Sequence, residues 1–316
     1  MTLHRLIEQY IGYRHSLGER CHTNGSILRS FGRAIGARTA VKDVRADQVD
    51  AFLAGVGPIT STWHVKHGAL RGFYIYAVSR GHVVASPLTT VIPKRPPNFV
   101  PYIYSRDELR RLLLATDVYQ HNRSCVEPTT VRTMILLLYG AGLRLREALA
   151  LARSDVDLDA RLLTIRQTKF YKSRFVPVGP QLCAALACYA RRPQSRVPVV
   201  GDGAAFFTTR AGATMKRDTV EDIFQRVREC AGIIRSDGAR YQPRLHDLRH
   251  SFAVHRLTSW YRQGLDVQRL LPQLSVYLGH ARLDATSVYL SMTPELLDEA
   301  SKRFERYAKV EGVRHA

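Results

Sequence analysis

The segment VIPKRPPNFVPYIY, in which Pro93, Pro96, Pro97 and Pro101 stand beside Lys94 and Arg95, constrains this chain more than any other stretch. Proline fixes φ and removes a backbone donor, so no helix runs through the segment and it reads as an extended basic linker. It divides the 316 residues into an N-terminal domain at 1–92, a linker at 93–102 and a second domain at 103–316. Each of the two domains is long enough to bury its own core without disulfides or metals.

On the N-terminal side, Leu3, Leu6, Ile7, Tyr10 and Leu17 recur at helical spacing between Thr2 as a cap and Gly18 as a stop. Further apolar runs (Ile27, Leu28, Phe31 and Ile35; Val49, Phe52 and Leu53; Leu70, Phe73, Tyr74 and Ala77) predict a unit of four or five helices. Past the linker, Ser105 and Glu108 form a capping box that opens a new helix. Helical patterns follow over 180–192, 218–231, 246–263 and 294–309. Residues 155–178 instead alternate β-branched and polar residues around turn candidates, which predicts a small antiparallel sheet. The expected fold class is mainly α with a small antiparallel β-sheet.

Lys plus Arg outnumber Asp plus Glu by 47 to 27, a formal charge of +20 spread along the whole chain. Such a surplus repels itself unless a polyanion neutralises it, and nucleic acid bound with strong salt dependence is the simplest partner. An anionic membrane is the second choice, but no basic amphipathic anchor or lipidation motif stands out. Cys21, Cys125, Cys183, Cys188 and Cys230 lack CxxC or paired spacing and read as reduced thiols. The N-terminus has no continuous apolar stretch of signal type, so the expected location is cytoplasmic, nucleoid-associated when bound to DNA. No acidic cluster with metal-ligand spacing, P-loop or GxSxG elbow is present, which removes the common metal-dependent nuclease, NTPase and hydrolase readings.

Breaking a phosphodiester without a metal requires a nucleophile, cations for the non-bridging oxygens and an acid for the leaving oxygen. Four islands supply such groups. In the first, Gly140 to Glu147, an apolar helix ends in glycines and Arg144 and Glu147 share one face, so the carboxylate can orient the guanidinium. The second is Lys169, in the turn of the predicted hairpin. In the third, His246 and Arg249 stand three apart within His246-Asp247-Leu248-Arg249-His250. The fourth is Leu278-Gly279-His280, followed by Asp284 as a candidate N-cap and Tyr289 about one turn into a short helix. Taken singly, each island has an ordinary reading as a solvated ion pair, a hairpin lysine or a packing tyrosine.

In order and spacing together, Arg144, Lys169, His246, Arg249, His280 and Tyr289 resemble the tyrosine recombinase (phage integrase) family, with its GLRxxE, HxLRH and LGH motifs and nine residues from His280 to Tyr289. The resemblance covers 103–309, and more loosely the N-terminal unit as a core-binding domain. It implies that Tyr289 attacks the scissile phosphate to form a 3′-phosphotyrosyl bond. Arg144 and Arg249 would clamp that phosphate, His246 would take the phenol proton, Lys169 would protonate the 5′-oxygen, and His280 would bond a non-bridging oxygen. No metal and no cofactor are implied. Lys172 is an alternative acid, because the bulky residues around Lys169 depart from the glycine common in the family. Arg146 competes with Arg144, which the GLR register and Glu147 favour, and His250 reads as a core or supporting residue.

The family also implies a C-shaped clamp on double-stranded DNA at specific recombination sites. It implies a tetramer, alone or with related recombinases, and a C-terminal helix around Leu296, Leu297, Ala300 and Phe304 donated to a neighbour. Arg29, Lys66, His67, Arg71, Lys94 and Arg95 are candidate DNA contacts. The stretch from Trp260 to Leu274 is similar to transposon-borne enzymes of the recombinase-in-trio group, which implies integration or excision of a mobile element. The alternatives are a type IB topoisomerase-like enzyme and a catalytically inactive accessory protein.

Overall fold

Helical spacing in the first part of the chain becomes α1 (Leu3–Ser16), α2 (His22–Ile35), α3 (Ala46–Ala54) and α4 (Ser61–Ser79). This computed structural model describes residues 1–19, 21–36, 38–56, 59–96, 100–118, 124–166, 173–191, 201, 203–239, 241–280, 282–291, 296–302 and 305. Thr2 caps α1, its hydroxyl accepting from the Arg5 N–H at 3.4 Å. The periodic residues Leu6, Ile7, Leu28, Phe31, Leu70 and Phe73 are all fully buried in one cluster. Each such side chain contributes roughly 1.5–3 kcal/mol relative to exposure, which outweighs the modest helix propensity of the β-branched and aromatic residues here.

The chain divides into two compact units, Met1–Phe99 and Val100–Ala316. The second opens with α5 (Arg106–Val118), where the Glu108 N–H donates to Ser105 Oγ at 3.2 Å and the Ser105 N–H donates to Glu108 Oε2 at 2.8 Å. Helices α6 (Pro128–Gly140) and α7 (Leu145–Leu149) lead into β1 (Val156–Asp157), β2 (Leu162–Ile165) and β3 (Arg174–Pro177), an antiparallel sheet in that order. Leu163 pairs with Val156 on one side and Val176 on the other, and Leu163, Ile165 and Val176 turn into the core. Then follow α8 (Pro180–Ala190), α9 (Arg217–Cys230), α10 (Asp247–Arg262), α11 (Val267–Leu278) and α12 (Asp284–Ser287), with a 3₁₀ turn over Val288–Ser291. Helix α10 packs against α6, α11 and that turn, so a side chain on its inner face reaches several elements at once.

Two local expectations change. Asp284 is the first residue of α12 rather than its cap, because its carboxylate accepts from Arg282 Nη2 at 2.7 Å instead of from the helix N–H groups. Tyr289 accordingly lies in the 3₁₀ turn after α12. Residues 296–302 are helical and pack on their own unit: Leu296 is buried in the cluster that holds Tyr289, and Arg262 Nε meets Glu299 Oε1 at 3.1 Å. Phe304 lies outside the described residues.

Candidate active site

Helix α11 leaves its last carbonyls without intrahelical donors, and its dipole makes that end negative. Three arginines from three elements meet it. The Tyr277 carbonyl accepts from Arg174 Nε at 3.0 Å, the Leu278 carbonyl from Arg249 Nη2 at 2.6 Å, and the Gly279 carbonyl from Arg144 Nη2 at 3.1 Å. Gly279 ends the helix with φ +67°, and a Cβ there would lie 2.6 Å from Arg174 Nη1. Glycine is therefore required twice over, by backbone conformation and by space.

Arg144 is the N-cap residue of α7 and reaches Glu147 Oε1 through Nη1 at 2.9 Å, while its backbone N–H donates to Glu147 Oε2, also at 2.9 Å. Glu147 receives a second guanidinium: Arg174 donates through Nη1 to Oε1 at 3.0 Å and through Nη2 to Oε2 at 2.9 Å. Burial alone would raise the Glu147 pKa, but the hydrogen bonds and charge of Arg174, followed by those of Arg144, prevail and hold it at about 2. At neutral pH the carboxylate is therefore ionised.

Arg249 is only 2% exposed. Its Nη1 donates to the Gly142 carbonyl at 2.6 Å, so its two ends tie the glycine turn before Arg144 to the end of α11. Gly142 has φ +59°, and a Cβ would sit 2.6 Å from the Phe252 ring. Burial and then the charge of Arg144 push the Arg249 pKa down to about 10, which still leaves it a cation at neutral pH.

Tyr289 is 2% exposed and joins this group. Burial raises its pKa, while the charge and hydrogen bonding of Arg249 and the charge of Arg144 oppose the rise. Its hydroxyl lies 3.1 Å from His250 Nδ1, and the His246 ring meets the His250 ring edge-on at 4.8 Å. The His280 ring is 6.2 Å from that of Tyr289, and its Nδ1 is 2.7 Å from Oγ1 of the fully buried Thr286. Burial first and then the charge of Arg249 lower the pKa of His250 and of His280 to about 4; His246, which is the most exposed of the three, is lowered in the same direction by burial of its inner edge, then by His250 and Arg249. All three are neutral near pH 7, and a neutral ring with an unprotonated Nδ1 can accept the phenol proton.

Arg144, Glu147, His246, Arg249, His280 and Tyr289 thus come together from α7, α10, α11 and the turn after α12. Lys169 and Lys172 lie outside the described residues. Arg146 is exposed on α7. The sequence motifs do not mark Arg174, and His250, expected as a core or supporting residue, is half-buried with its Nδ1 on the Tyr289 hydroxyl. For Arg174 a signal existed, since strand alternation sets it on the same face as Val176, an inward position unusual for a cation. His250 had none, because contact with Tyr289 spans 39 residues of sequence.

In the N-terminal unit, His67 corrects an expectation. It is 8% exposed and stacks on Trp63 with ring centroids 5.0 Å apart, so it is packed in the core rather than offered to a ligand. Lys66 Nζ donates to the Phe52 carbonyl at 2.7 Å, and Arg29 is paired with Glu8 at 2.8 Å. Arg71, Lys94 and Arg95 are exposed. Among the described residues, no group of three or more His, Cys, Asp or Glu side chains could hold a metal ion, and no helix is long and apolar enough to cross a membrane.

The sequence model of the phage integrase family matches residues 105–295. The putative integrase/recombinase y4rB of Sinorhizobium fredii (strain NBRC 101917 / NGR234) is 34% identical over 96% of this chain and 98% of its own length. The tyrosine recombinase XerC of Chlorobaculum parvum is 31% identical, over 83% of this chain and 77% of its own. Among solved structures, the Tn1549 transposon integrase in complex with a circular intermediate DNA aligns with a TM-score of 0.70 at 17% identity, covering 97% of this chain and 99% of that one. A lambda integrase dimer bound to a COC′ core site aligns at 0.66 and 17% identity, covering 93% and 97%. At such identities the structural likeness speaks to the fold, whereas the family match and the closer relatives speak to descent. This chain belongs to the phage integrase family: it is a tyrosine recombinase, an enzyme that cleaves and rejoins DNA.

Proposed function

We propose that Tyr289 is the nucleophile of a site-specific recombinase acting on double-stranded DNA, and that Arg144, Arg249 and His280 hold the scissile phosphate against it. A bond forms between Tyr289 Oη and phosphorus while the bond to the 5′-oxygen breaks, leaving a 3′-phosphotyrosyl link that a 5′-hydroxyl can later reverse. The phenol proton passes to the His246–His250 pair, in which His250 Nδ1 is the nearer acceptor. The departing 5′-oxygen takes its proton from Lys169, with Lys172 the alternative. Arginines and His280 act where charge builds on the non-bridging oxygens, and losing one such donor typically costs on the order of a hundredfold in rate.

One observation carries the reading. A buried tyrosine with a neutral histidine on its hydroxyl lies within the field of Arg249 and Arg144, an arrangement that a packing tyrosine does not need. Neither a type IB relaxing enzyme nor an inactive accessory protein is favoured by the relatives or by the site.

Residues 1–92 form a second DNA-binding unit with Arg71 among its accessible cations, and Lys94 and Arg95 of the linker add two more. The working assembly is a tetramer, reached when the C-terminal helix leaves its own unit for a neighbour, and the substrate is a mobile element of the recombinase-in-trio kind. The site of action is the cytoplasm, at the nucleoid. The decisive experiment incubates the protein with nicked suicide duplexes and resolves the products by denaturing electrophoresis. Wild type should give a covalent protein–DNA adduct and Tyr289→Phe none; an undiminished adduct from the variant would remove Tyr289 as nucleophile.

A further inference from the structure

Strand β3 is patterned the wrong way round for a structural strand. Val176 is fully buried, yet the neighbouring Phe175 is 66% exposed while Arg174, on the inward face with Val176, is drawn inside. A sheet that buries a cation and exposes a phenylalanine gives up stability, and such departures gather at functional sites. The Arg174 side chain is only 11% exposed, against 37% for Arg144. Its Nε, Nη1 and Nη2 are all engaged, on Tyr277 and both oxygens of Glu147. Arg174 thus has each of its nitrogens engaged within the protein, whereas Arg144 is the more exposed of the two side chains.

Glu147 poses an electrostatic problem that Arg174 answers. A carboxylate that orients Arg144 also cancels its charge, and an arginine with a cancelled charge is a weak ligand for phosphate. Arg174 binds the same carboxylate through two parallel bonds and supplies the missing counter-charge. Arg144, Arg174 and Arg249 against Glu147 leave a formal surplus of two positive charges around the end of α11. A pentacoordinate phosphorane carries two negative charges on its non-bridging oxygens, so the surplus matches the species to be stabilised.

We infer that Arg174 is a positioning residue for strand cleavage: it neutralises Glu147, so that Glu147 orients Arg144 without cancelling the charge that Arg144 brings to the scissile phosphate. The inference rests on the roles of Arg144 and Tyr289 proposed above. It separates Arg174 from a simple brace, because a brace would be indifferent to the charge left on Glu147.

The test uses the full chain. A pool of nicked duplexes of randomised sequence is incubated with wild type, and the DNA that stays attached after denaturation is recovered as the substrate. On that duplex, R174K, R174Q and the double variant R174Q/E147Q are compared for single-turnover adduct formation, equilibrium DNA binding and thermal midpoint. R174Q should slow adduct formation on the order of a hundredfold while binding changes by less than about threefold. R174K keeps the charge but not the paired bonds and should fall between R174Q and wild type. R174Q/E147Q restores the formal charge and should recover about tenfold over R174Q. Wild-type cleavage by R174Q, or a double variant no faster than R174Q, overturns the inference. Should R174Q fail to fold, R174K against the double variant decides: both must cleave, slower than wild type, or the inference falls. A wild type that yields no adduct instead overturns the cleavage reading, and the inference with it.

Discussion

At the scale of single residues, the site is a set of groups whose charges are fixed by neighbours rather than by their own chemistry. His250 and His280 are lowered from the ordinary histidine value to about 4, by burial first and then by Arg249. An unfolded chain protonates them near pH 6.5, whereas the folded chain resists until near pH 4. As pH falls through that window the unfolded form binds more protons, so stability drops; above about 6.5 neither form binds them and the slope vanishes. Glu147, held at about 2, adds a further loss only below the ordinary carboxylate range. Urea unfolding at pH 7 and pH 5 should therefore show a lower midpoint at pH 5, and His250→Gln with His280→Gln should shrink that difference. An equal drop in wild type and double variant would mean that these rings titrate normally. The residue types at these positions were legible from the motifs, and so was the pairing of Arg144 with Glu147. That Glu147 serves two arginines was not, because Arg174 stands 27 residues away.

At the scale of elements, local signals worked where one stretch of chain could satisfy its own backbone. Thr2 caps α1, and Ser105 with Glu108 closes both bonds of the box that opens α5. Ser105→Ala should lower the unfolding free energy by about 1 kcal/mol, with Ser105→Asp close to wild type, as read by urea denaturation. No loss in the alanine variant would show that the cap contributes nothing at the head of the second unit. The sheet over β1 to β3 was legible from alternation. One local signal failed: Asp284 looks like a cap but is the first residue of α12, with its carboxylate turned to Arg282 two residues earlier. His67, on a helix with other basic residues, stacks on Trp63 instead of facing outward.

At the scale of the whole molecule, the division into two units follows from the proline segment, whose backbone cannot join a helix on either side. Lys94 and Arg95 are exposed within it. Trypsin should cut after Lys94 among its first sites, since the Arg95–Pro96 bond resists it, and mass spectrometry should find a fragment ending at Lys94. Early cleavage inside the helices with this bond intact would mean that the segment is not accessible. The sequence by itself determined the helical class, the small sheet and the basic charge of +20, and it marked Arg144, His246, Arg249, His280 and Tyr289 as candidates, because periodicity, capping and ionic character are local properties. Only the tertiary structure decided which of those residues touch. It set His250 on Tyr289, packed the C-terminal helix on its own unit, and gathered Arg144, Arg174 and Arg249 at one helix end. The physical reason is that a buried charge takes its partners from wherever the packed chain brings a carbonyl or a carboxylate within reach, and that distance is not written in the order of the residues.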